Sequence, residues 1–263
     1  MLGQSDRDEI VARLFETYRT RQPMPLPSKT WPDIEVEDAY RIQQAFVAQK
    51  VAQGGKVKGY KVGLTSKAMQ EFSGTTEPDF SAVTNDFFVP EATPIPMSRF
   101  FAPMIEMEIA FVMKEPLKGP GVLPVDVIRA TDFVLPAIEI VDFRVERGPG
   151  LSVIDNIADL AFCGAVVLGA NPRRLDQIDI RRVKGEISRN GIKELEGEAS
   201  AVLGNPVTAV AWLANKLGEF GTSFEPGDTI LTGSFVRVLP VEVGDEFVCR
   251  FDQGLGEVST SFV

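Results

Sequence analysis

Residues 103–113 read Pro-Met-Ile-Glu-Met-Glu-Ile-Ala-Phe-Val-Met, and the rest of the chain can be interpreted outward from this stretch. Apolar, β-forming residues fill it from Ile105 to Val112, which predicts a buried β-strand. Glu106 and Glu108 are two residues apart, so the period of a strand places both carboxylates on one face. An unpaired charge away from water is costly, so these carboxylates need a partner. A cation is the simplest one.

A second strand with an acid in its middle follows about thirty residues later. Residues 133–142 read Phe-Val-Leu-Pro-Ala-Ile-Glu-Ile-Val-Asp, which places Glu139 in an apolar run. Three carboxylates from neighbouring strands would suit Mg²⁺ or Mn²⁺ and leave about three coordination positions for a chelating substrate and water. The alternative is an edge strand on which Glu106 and Glu108 point to solvent. Spacing alone leaves both interpretations open.

Composition narrows the class of protein. The 263 residues are 44% hydrophobic, which is typical of a globular protein with a substantial core. The net charge of −10, without any dense run of Lys and Arg, argues against nucleic acid or an anionic membrane as partner. No transmembrane run or leader pattern is present, which predicts a cytoplasmic protein. Cys163 and Cys249 lie far apart in apolar contexts and are expected to be buried free thiols.

The sequence contains no histidine. This excludes Ser-His-Asp and Cys-His catalysis, zinc sites that depend on histidine and a neutral imidazole base. A lysine, a carboxyl group, a tyrosine, a thiol or water must therefore move any protons.

Hydrophobic periodicity divides the chain into a helical N-terminal segment, residues 1–55, and a β-rich core, residues 56–263, within one compact unit. The first segment is predicted to hold two helices, 5–21 with Ser5 as N-cap and 36–53. It either covers the core or closes over a substrate. In the core, the expected helices are 67–72, 125–131, 155–162 and 206–218. The expected strands are 57–64, the two acid-bearing strands, 164–168, a hairpin around Asn190-Gly191, 229–238, 245–251 and 257–263.

Three further features carry possible chemistry. Lys61 lies mid-strand between Gly59 and Gly63, where burial would lower its pKa enough for it to act as an acid or base; the alternative is a surface lysine. Asp79 lies in a proline-rich loop, where a turn-forming role is the default. The turn at residues 233–235, Gly-Ser-Phe, offers backbone N–H groups and a hydroxyl to an anion.

Taken together, these motifs resemble the fumarylacetoacetate hydrolase superfamily over about residues 36–263, and most of all its hydratases of 2-hydroxy-2,4-dienoates and 2-oxoheptenedioates from aromatic meta-cleavage pathways. The segments that carry the resemblance are Gly59-Tyr60-Lys61-Val62-Gly63-Leu64-Thr65-Ser66-Lys67-Ala68-Met69-Gln70, Glu77-Pro78-Asp79, Ile105-Glu106-Met107-Glu108, Pro136-Ala137-Ile138-Glu139, Asp155-Asn156, Gly204-Asn205-Pro206, Ala211-Trp212-Leu213 and Gly233-Ser234-Phe235.

The resemblance implies an α+β fold, a mixed β-roll of the fumarylacetoacetate hydrolase C-terminal type with a helical N-terminal segment, and a homo-oligomer. It implies three sets of site residues. The metal ligands, for Mg²⁺ or Mn²⁺, are Glu106, Glu108 and Glu139; the acid/base residues are Lys61 and Asp79; the substrate-binding residues are Leu64, Ser66, Gln70 and Ser234.

The chain also departs from the family pattern. Relatives commonly carry a histidine in the segment that corresponds to residues 28–35, which has none here, and often a basic residue where Met104 stands. The expected activity is a metal-dependent hydratase that converts a 2-hydroxy-2,4-dienoate to a 4-hydroxy-2-oxo acid. Decarboxylation of a 2-oxo-3-enedioate such as 4-oxalocrotonate, hydrolysis of an acylpyruvate, and a non-catalytic role beside a paralogous pathway enzyme are the alternatives.

Overall fold

The computed structural model describes all 263 residues. It contains seven α-helices, namely α1 (Gln4–Thr20), α2 (Pro27–Thr30), α3 (Val36–Ala52), α4 (Lys67–Ser73), α5 (Pro124–Ala130), α6 (Val153–Ala158) and α7 (Pro206–Glu219). It contains twelve strands, namely β1 (Val57–Gly63), β2 (Asp79–Thr84), β3 (Phe88–Val89), β4 (Met104–Met113), β5 (Thr131–Val141), β6 (Cys163–Leu168), β7 (Lys184–Arg189), β8 (Ile192–Glu198), β9 (Thr229–Leu231), β10 (Leu239–Pro240), β11 (Glu246–Phe251) and β12 (Gly256–Ser261).

The larger sheet is mixed and has the strand order β2-β1-β9-β4-β5-β6-β3, with β10 paired to β4. The acid-bearing strand β4 therefore lies inside the sheet, between β9 and β5. An edge strand with solvated glutamates is excluded. In the antiparallel β4–β5 pair Glu106 lies directly opposite Glu139, so these two carboxylates share a face of the sheet.

The smaller sheet has the order β12-β11-β7-β8. Its β7–β8 hairpin turns at Asn190 and Gly191, both with positive φ, as the Asn-Gly signal predicts. Gly185 in β7 lies so close to Met107 that a β-carbon there would approach its Sδ to 2.8 Å. Met107 and Glu106 are consecutive and point to opposite faces of β4. The smaller sheet therefore packs on the apolar face of β4, away from the acids.

The N-terminal helices pack through aromatic contacts. The Phe15 ring of α1 stacks on Phe46 of α3 at 4.1 Å, and Tyr40 of α3 stacks on Phe80 of β2 at 4.6 Å. One cluster of 65 buried hydrophobic residues extends from these helices to the last strand. The boundary predicted at residue 55 stays a prediction. No helix combines the length and the apolar character that crossing a membrane requires.

Three local predictions are wrong. Ser5 lies inside α1, which begins after Gly3 without a side-chain cap. The helix expected over 155–162 ends at Ala158, because the next residues turn into left-handed backbone. The strand expected over 229–238 ends at Leu231, after which the chain bends across β4.

Asp79 also differs from expectation, because it begins β2 instead of forming a loop turn. The prediction that both cysteines are buried and free is confirmed. Helix α7 is also found near its predicted position, and Asn205 caps it by accepting a hydrogen bond from the Val207 backbone N–H.

Candidate active site

Three carboxylates converge on one face of the β4–β5 pair. Glu106 and Glu108 alternate with apolar residues along β4, and Glu139 faces them from β5, so that one carboxylate oxygen of each lies within 4.8 Å of the others. Glu108 and Glu139 are fully buried, whereas Glu106 is half-buried. The site therefore becomes more accessible in the direction from Glu108 to Glu106.

Burial and the neighbouring negative charges raise the pKa values of two of these carboxyl groups. Burial, followed by the charge of Glu139, raises the pKa of Glu106 to about 7. The same two causes raise the pKa of Glu108 well above its ordinary value. Glu108 Oε1 and Glu139 Oε2 are buried without any hydrogen-bond partner. Unpartnered oxygens in an all-carboxylate cluster fit a hard divalent cation, which would remove both the repulsion and the deficit of partners.

The break after β9 supplies part of this site. The Gly233 backbone N–H donates to Glu108 Oε2 at 2.7 Å, and Gly233 has φ +100°, a conformation that glycine adopts readily. The Thr232 hydroxyl donates to the Ile109 carbonyl at 3.0 Å and holds the bend against β4. Ser234 is half-buried, and its hydroxyl donates to the carbonyl of Val236 at 2.9 Å. This turn therefore binds Glu108 through its backbone.

Lys61 lies deep in the same face. Its side chain is nearly fully buried, and Nζ donates to Glu139 Oε1 at 2.5 Å and to the Ala161 carbonyl at 2.7 Å. Burial favours a lower pKa, but the charges of Glu139 and Glu106 outweigh it, so the pKa of Lys61 is raised. The predicted fall in its pKa is wrong because burial here comes with two acids. The surface-lysine alternative is excluded.

A left-handed turn presents the carbonyl that holds Lys61. Leu160, Ala161 and Phe162 have φ values of 56°, 47° and 56°, which residues with a β-carbon rarely adopt. Such conformations cost of order 1–3 kcal/mol each and persist where the surroundings enforce them. The sequence carries no glycine or asparagine at these three positions, so no turn signal could have revealed this feature.

Asp79 lies at the start of β2, paired in register with Gly63. It is fully buried; Oδ2 accepts a hydrogen bond from Asn156 Nδ2, and Oδ1 has no partner. Burial raises the pKa of Asp79 to about 6, although Lys61 and Asn156 oppose the shift. A carboxyl group with a pKa near neutrality is suited to proton transfer at physiological pH. Asn156, which contacts Asp79, is not among the site residues predicted from the sequence.

Comparison with known families settles the relationship. The family described as "Fumarylacetoacetate (FAA) hydrolase C-terminal" matches residues 40–263. The chain belongs to this family. The expected α+β fold with a mixed β-roll is confirmed, since a solved structure of this type superposes on the whole chain.

That structure is 4-oxalocrotonate decarboxylase from Pseudomonas putida G7, complexed with magnesium and adipate; it has a TM-score of 0.96 and 33% identity, and the match covers 100% of this chain and 99% of the other. Two relatives show similar coverage. 2-Oxo-hept-4-ene-1,7-dioate hydratase of Escherichia coli is 42% identical to this chain over 97% of both chains. 4-Oxalocrotonate decarboxylase of Pseudomonas sp. (strain CF600) is 36% identical over 98% of both.

In this family member, three of the predicted substrate-binding residues build the corner between β1 and α4. The Leu64 carbonyl accepts a hydrogen bond from Gln70 Nε2 at 2.9 Å, and the Ser66 hydroxyl caps α4 by accepting from the Met69 backbone N–H at 3.3 Å. Leu64 itself has positive φ, 54°. These contacts fix the corner beside Lys61, and direct contact of Leu64, Ser66 and Gln70 with substrate stays a prediction.

Proposed function

We propose that this protein is a metal-dependent hydratase that adds water to a 2-hydroxy-2,4-dienoate, or to its 2-oxo-enoate tautomer, and releases a 4-hydroxy-2-oxo acid. The observation that carries the proposal is that three converging carboxylates lie with Lys61 and Asp79 on one buried face of the larger sheet. Relatives named as hydratases of 2-oxo-hept-4-ene-1,7-dioate, 2-hydroxyhexa-2,4-dienoate and 2-keto-4-pentenoate, at 35–42% identity, support it.

Glu106, Glu108 and Glu139 would hold the cation, and their unpartnered oxygens fit this role. We take the ion to be Mg²⁺ or Mn²⁺, because the donor set is oxygen alone. When bound, it supplies Lewis acidity towards the carboxylate and 2-oxygen of a substrate. The Gly233 N–H orients Glu108 by occupying its Oε2.

Lys61 and Asp79 carry the protons. During ketonisation a proton leaves O2 of the dienol and one arrives at C5, which gives the unsaturated 2-oxo acid. The oxygen of water then bonds to C4 while a proton arrives at C3. Lys61 is held as an ammonium by Glu139 and the Ala161 carbonyl, so it is placed to donate. Asp79, with a pKa of about 6, is ionised at neutral pH and is placed to accept.

Decarboxylation of a 2-oxo-3-enedioate is the second candidate. The likeness to 4-oxalocrotonate decarboxylases in both sequence and structure supports it. The same pocket would stabilise the dienolate that remains when CO₂ departs. Acylpyruvate hydrolysis is less favoured, because the chain offers no histidine to activate water.

Absorbance of the dienol tests the proposal. Purified protein with Mg²⁺ or Mn²⁺ is expected to remove the absorbance of 2-hydroxypenta-2,4-dienoate or of its six- and seven-carbon dicarboxylic analogues without releasing CO₂. Lys61→Ala should lower turnover by a factor of about 10²–10⁴, the usual contribution of a proton-transfer group. Unchanged absorbance with every substrate contradicts the proposal, and stoichiometric CO₂ from an enedioate replaces it with decarboxylation.

Metal binding is tested separately by calorimetric Mn²⁺ titration of the wild type and Glu106→Gln. Binding without Lys61-dependent turnover would instead indicate a non-catalytic partner of a paralogous enzyme. We further propose a cytoplasmic homo-oligomer. The resemblance supports this assembly, as do the exposed apolar side chains Leu123, Val125 and Ile128 along α5, and light scattering of the purified protein tests it.

A further inference from the structure

An apolar wall extends from the carboxylates towards solvent. Met104 lies opposite Val141, two residues beyond the Glu106–Glu139 pair, so these side chains share the face that carries the acids. Met104 is half-buried, whereas Glu108, at the other end of the row, is fully buried. The row therefore runs from a closed end at Glu108 to an open end at Met104, and a long substrate would extend in that direction.

Two aromatic rings lie just beyond the end of β5. Phe143 follows Val141 by two residues, and its ring lies 4.5 Å from that of Phe162. Phe162 directly follows Ala161, whose carbonyl accepts a hydrogen bond from Lys61 Nζ. The aromatic pair is therefore attached to the turn that holds Lys61, just past the end of β5 that carries Val141.

Arg147 lies over one of these rings. Its guanidinium carbon is 4.6 Å from the centroid of the Phe143 ring, a cation–π contact that orients the planar group. Arg147 is exposed and has no carboxylate within 4.0 Å, whereas Arg144, three residues earlier, is buried against Asp159. A guanidinium with free donors is well suited to bind a carboxylate in two-point fashion.

We propose that Arg147 binds the distal carboxylate of an extended dicarboxylate, so that the substrate is a 2-hydroxy-dienedioate or its 2-oxo-enedioate tautomer. The proposal rests on the proposed function, since it places the 2-oxo-acid end at the three glutamates. It specifies the substrate class, with the apolar carbons of the substrate lying along Met104 and Phe143. A chain with a net charge of −10 repels dianions, so a free cation at the mouth is the local feature that favours one.

The separation in sequence sets an upper limit on the reach that the substrate needs. Glu139 and Phe143, over whose ring Arg147 lies, are four residues apart, which corresponds to at most about 13 Å of extended chain. A seven-carbon dioate, with a metal–oxygen distance of about 2 Å at one end and an N–H···O distance of about 2.8 Å at the other, spans a gap of this order. A five-carbon monocarboxylate has no group that reaches Arg147.

Two unreactive ligands of equal length test the proposal. 2-Oxoheptanedioate and 2-oxoheptanoate differ only in the distal carboxylate, and neither has a double bond to hydrate. Calorimetry of the Mn²⁺-loaded full-length protein should give a preference for the dioate of about tenfold or more, the range of a charge-assisted hydrogen bond. Arg147→Ala should abolish the preference and leave the affinity for 2-oxoheptanoate unchanged. Arg181→Ala removes another exposed arginine and should retain the preference.

Equal affinities of the wild type for both ligands, or a preference that survives Arg147→Ala, overturn the inference; failure to bind either ligand overturns it as well. Measurement of turnover distinguishes failure of this inference from failure of the proposed function. A wild type that hydrates dienoates without discriminating between chain ends retains the hydratase and loses the role of Arg147. Binding with the expected preference but without hydration retains Arg147 and contradicts the hydratase. With active enzyme, Arg147→Ala should raise KM for the dienedioate and leave kcat nearly unchanged.

Discussion

Two buried charged clusters lie side by side at the end of β5, and they differ in how completely their polar atoms are paired. In the arginine cluster, each of the three guanidinium nitrogens of Arg144 donates to a partner: the Asp159 carboxylate and carbonyl, the Tyr18 hydroxyl and the Cys163 carbonyl. In the carboxylate site, formed by Glu106, Glu108, Glu139, Lys61 and Asp79, three buried carboxylate oxygens have no partner. Burial of charge is common to both clusters, so the deficit of partners is the feature that singles out the carboxylate site as the candidate for a bound cation.

The two clusters share the left-handed turn. Asp159, at the start of the turn, accepts hydrogen bonds at its carboxylate from the side chain and the backbone N–H of Arg144, and at its carbonyl from the Arg144 side chain. Ala161, two residues later, accepts a hydrogen bond at its carbonyl from Lys61 Nζ. The fully paired arginine cluster thus holds one end of the strained turn. The same turn presents the Ala161 carbonyl to Lys61 in the carboxylate site. A structural ion pair therefore supports the position of Lys61, the lysine proposed to transfer protons.

The largest expected effect comes from breaking the arginine cluster. Arg144→Met leaves Asp159 buried without its cation, so the free energy of unfolding should fall by about 3–5 kcal/mol. Denaturant titration measures the change, and Arg174→Met, at an exposed arginine, serves as the control. The double variant Arg144→Met/Asp159→Leu should regain part of the loss, because it removes both charges. A loss below about 1 kcal/mol for Arg144→Met would show that the cluster does not support the turn.

The second effect is the pH dependence of the stability of the metal-free protein. Asp79 has a pKa of about 6 when folded, above its ordinary value of 3.8, so the folded state holds a proton that the unfolded chain releases. Its contribution to stability is therefore present at low pH and lost as pH rises from about 4 to about 6. The loss amounts to about 2–3 kcal/mol, at about 1.4 kcal/mol per pKa unit.

Comparison with Asp79→Asn isolates this contribution. Denaturation of both proteins in the presence of a chelator, at pH 4 and pH 7, should show a decline for the wild type that is smaller in the variant by about the same 2–3 kcal/mol. Parallel pH profiles for the two proteins would mean that Asp79 is not the group with the raised pKa.

A smaller effect is expected from a substitution at Glu108. It should stabilise the metal-free protein, whereas most substitutions in a core are destabilising. Glu108→Gln keeps the acceptor for the Gly233 N–H but removes a buried charge that lacks a partner, so metal-free protein should gain about 1–2 kcal/mol. Thermal unfolding with and without Mn²⁺ measures this gain, and the variant should lose the stabilisation that Mn²⁺ gives the wild type. Glu115→Gln, at an exposed acid, should change neither quantity. A destabilised metal-free variant would contradict the view that the acids repel one another.

Sequence predicted the parts of this molecule that local pattern determines. The alternation around Glu106 gave the strand and the shared face, and Asn190-Gly191 gave the hairpin, because in each case neighbouring residues alone set the geometry. The left-handed turn at Leu160–Phe162 and the early end of β9 depend on contacts with distant strands, so no local signal marks them.

Sequence pattern pointed to the residues of the candidate site but not to their electrostatics. The glycine-flanked position singled out Lys61 while leaving a surface lysine as the alternative, and the direction of its pKa shift depends on Glu139, which is 78 residues away in sequence. Asn156 lies in one of the segments that carry the family resemblance, but its contact with Asp79 depends on the tertiary structure. Arg147 has no distinguishing pattern around it, and only a tertiary contact connects it with Phe143. Pairing, which distinguishes the two clusters at the end of β5, is likewise a property of the folded chain.

The smallest predicted effect tests one of those contacts. Asn156 Nδ2 donates to Asp79 Oδ2 and thereby lowers a pKa that burial raises. Asn156→Ala removes the donor, so the pKa of Asp79 should rise by about 0.5–1 unit, the equivalent of one hydrogen bond. If Asp79 must be ionised to accept a proton, the acidic limb of the kcat/KM profile should move to higher pH by that amount, with the plateau little changed.

Asn171→Ala provides the matched control, since its amide donates to the Gly254 carbonyl on the surface and its removal should leave the limb in place. An unshifted limb in Asn156→Ala would show that Asp79 does not set it. A shift of the limb to lower pH would mean that the Asn156 hydrogen bond raises the pKa of Asp79, opposite to the expected sign, and would contradict the prediction. The two clusters differ in this respect as well. The hydrogen bond from Asn156 adjusts the pKa of Asp79, the proposed proton acceptor, whereas the hydrogen bonds around Arg144 are expected to stabilise the fold.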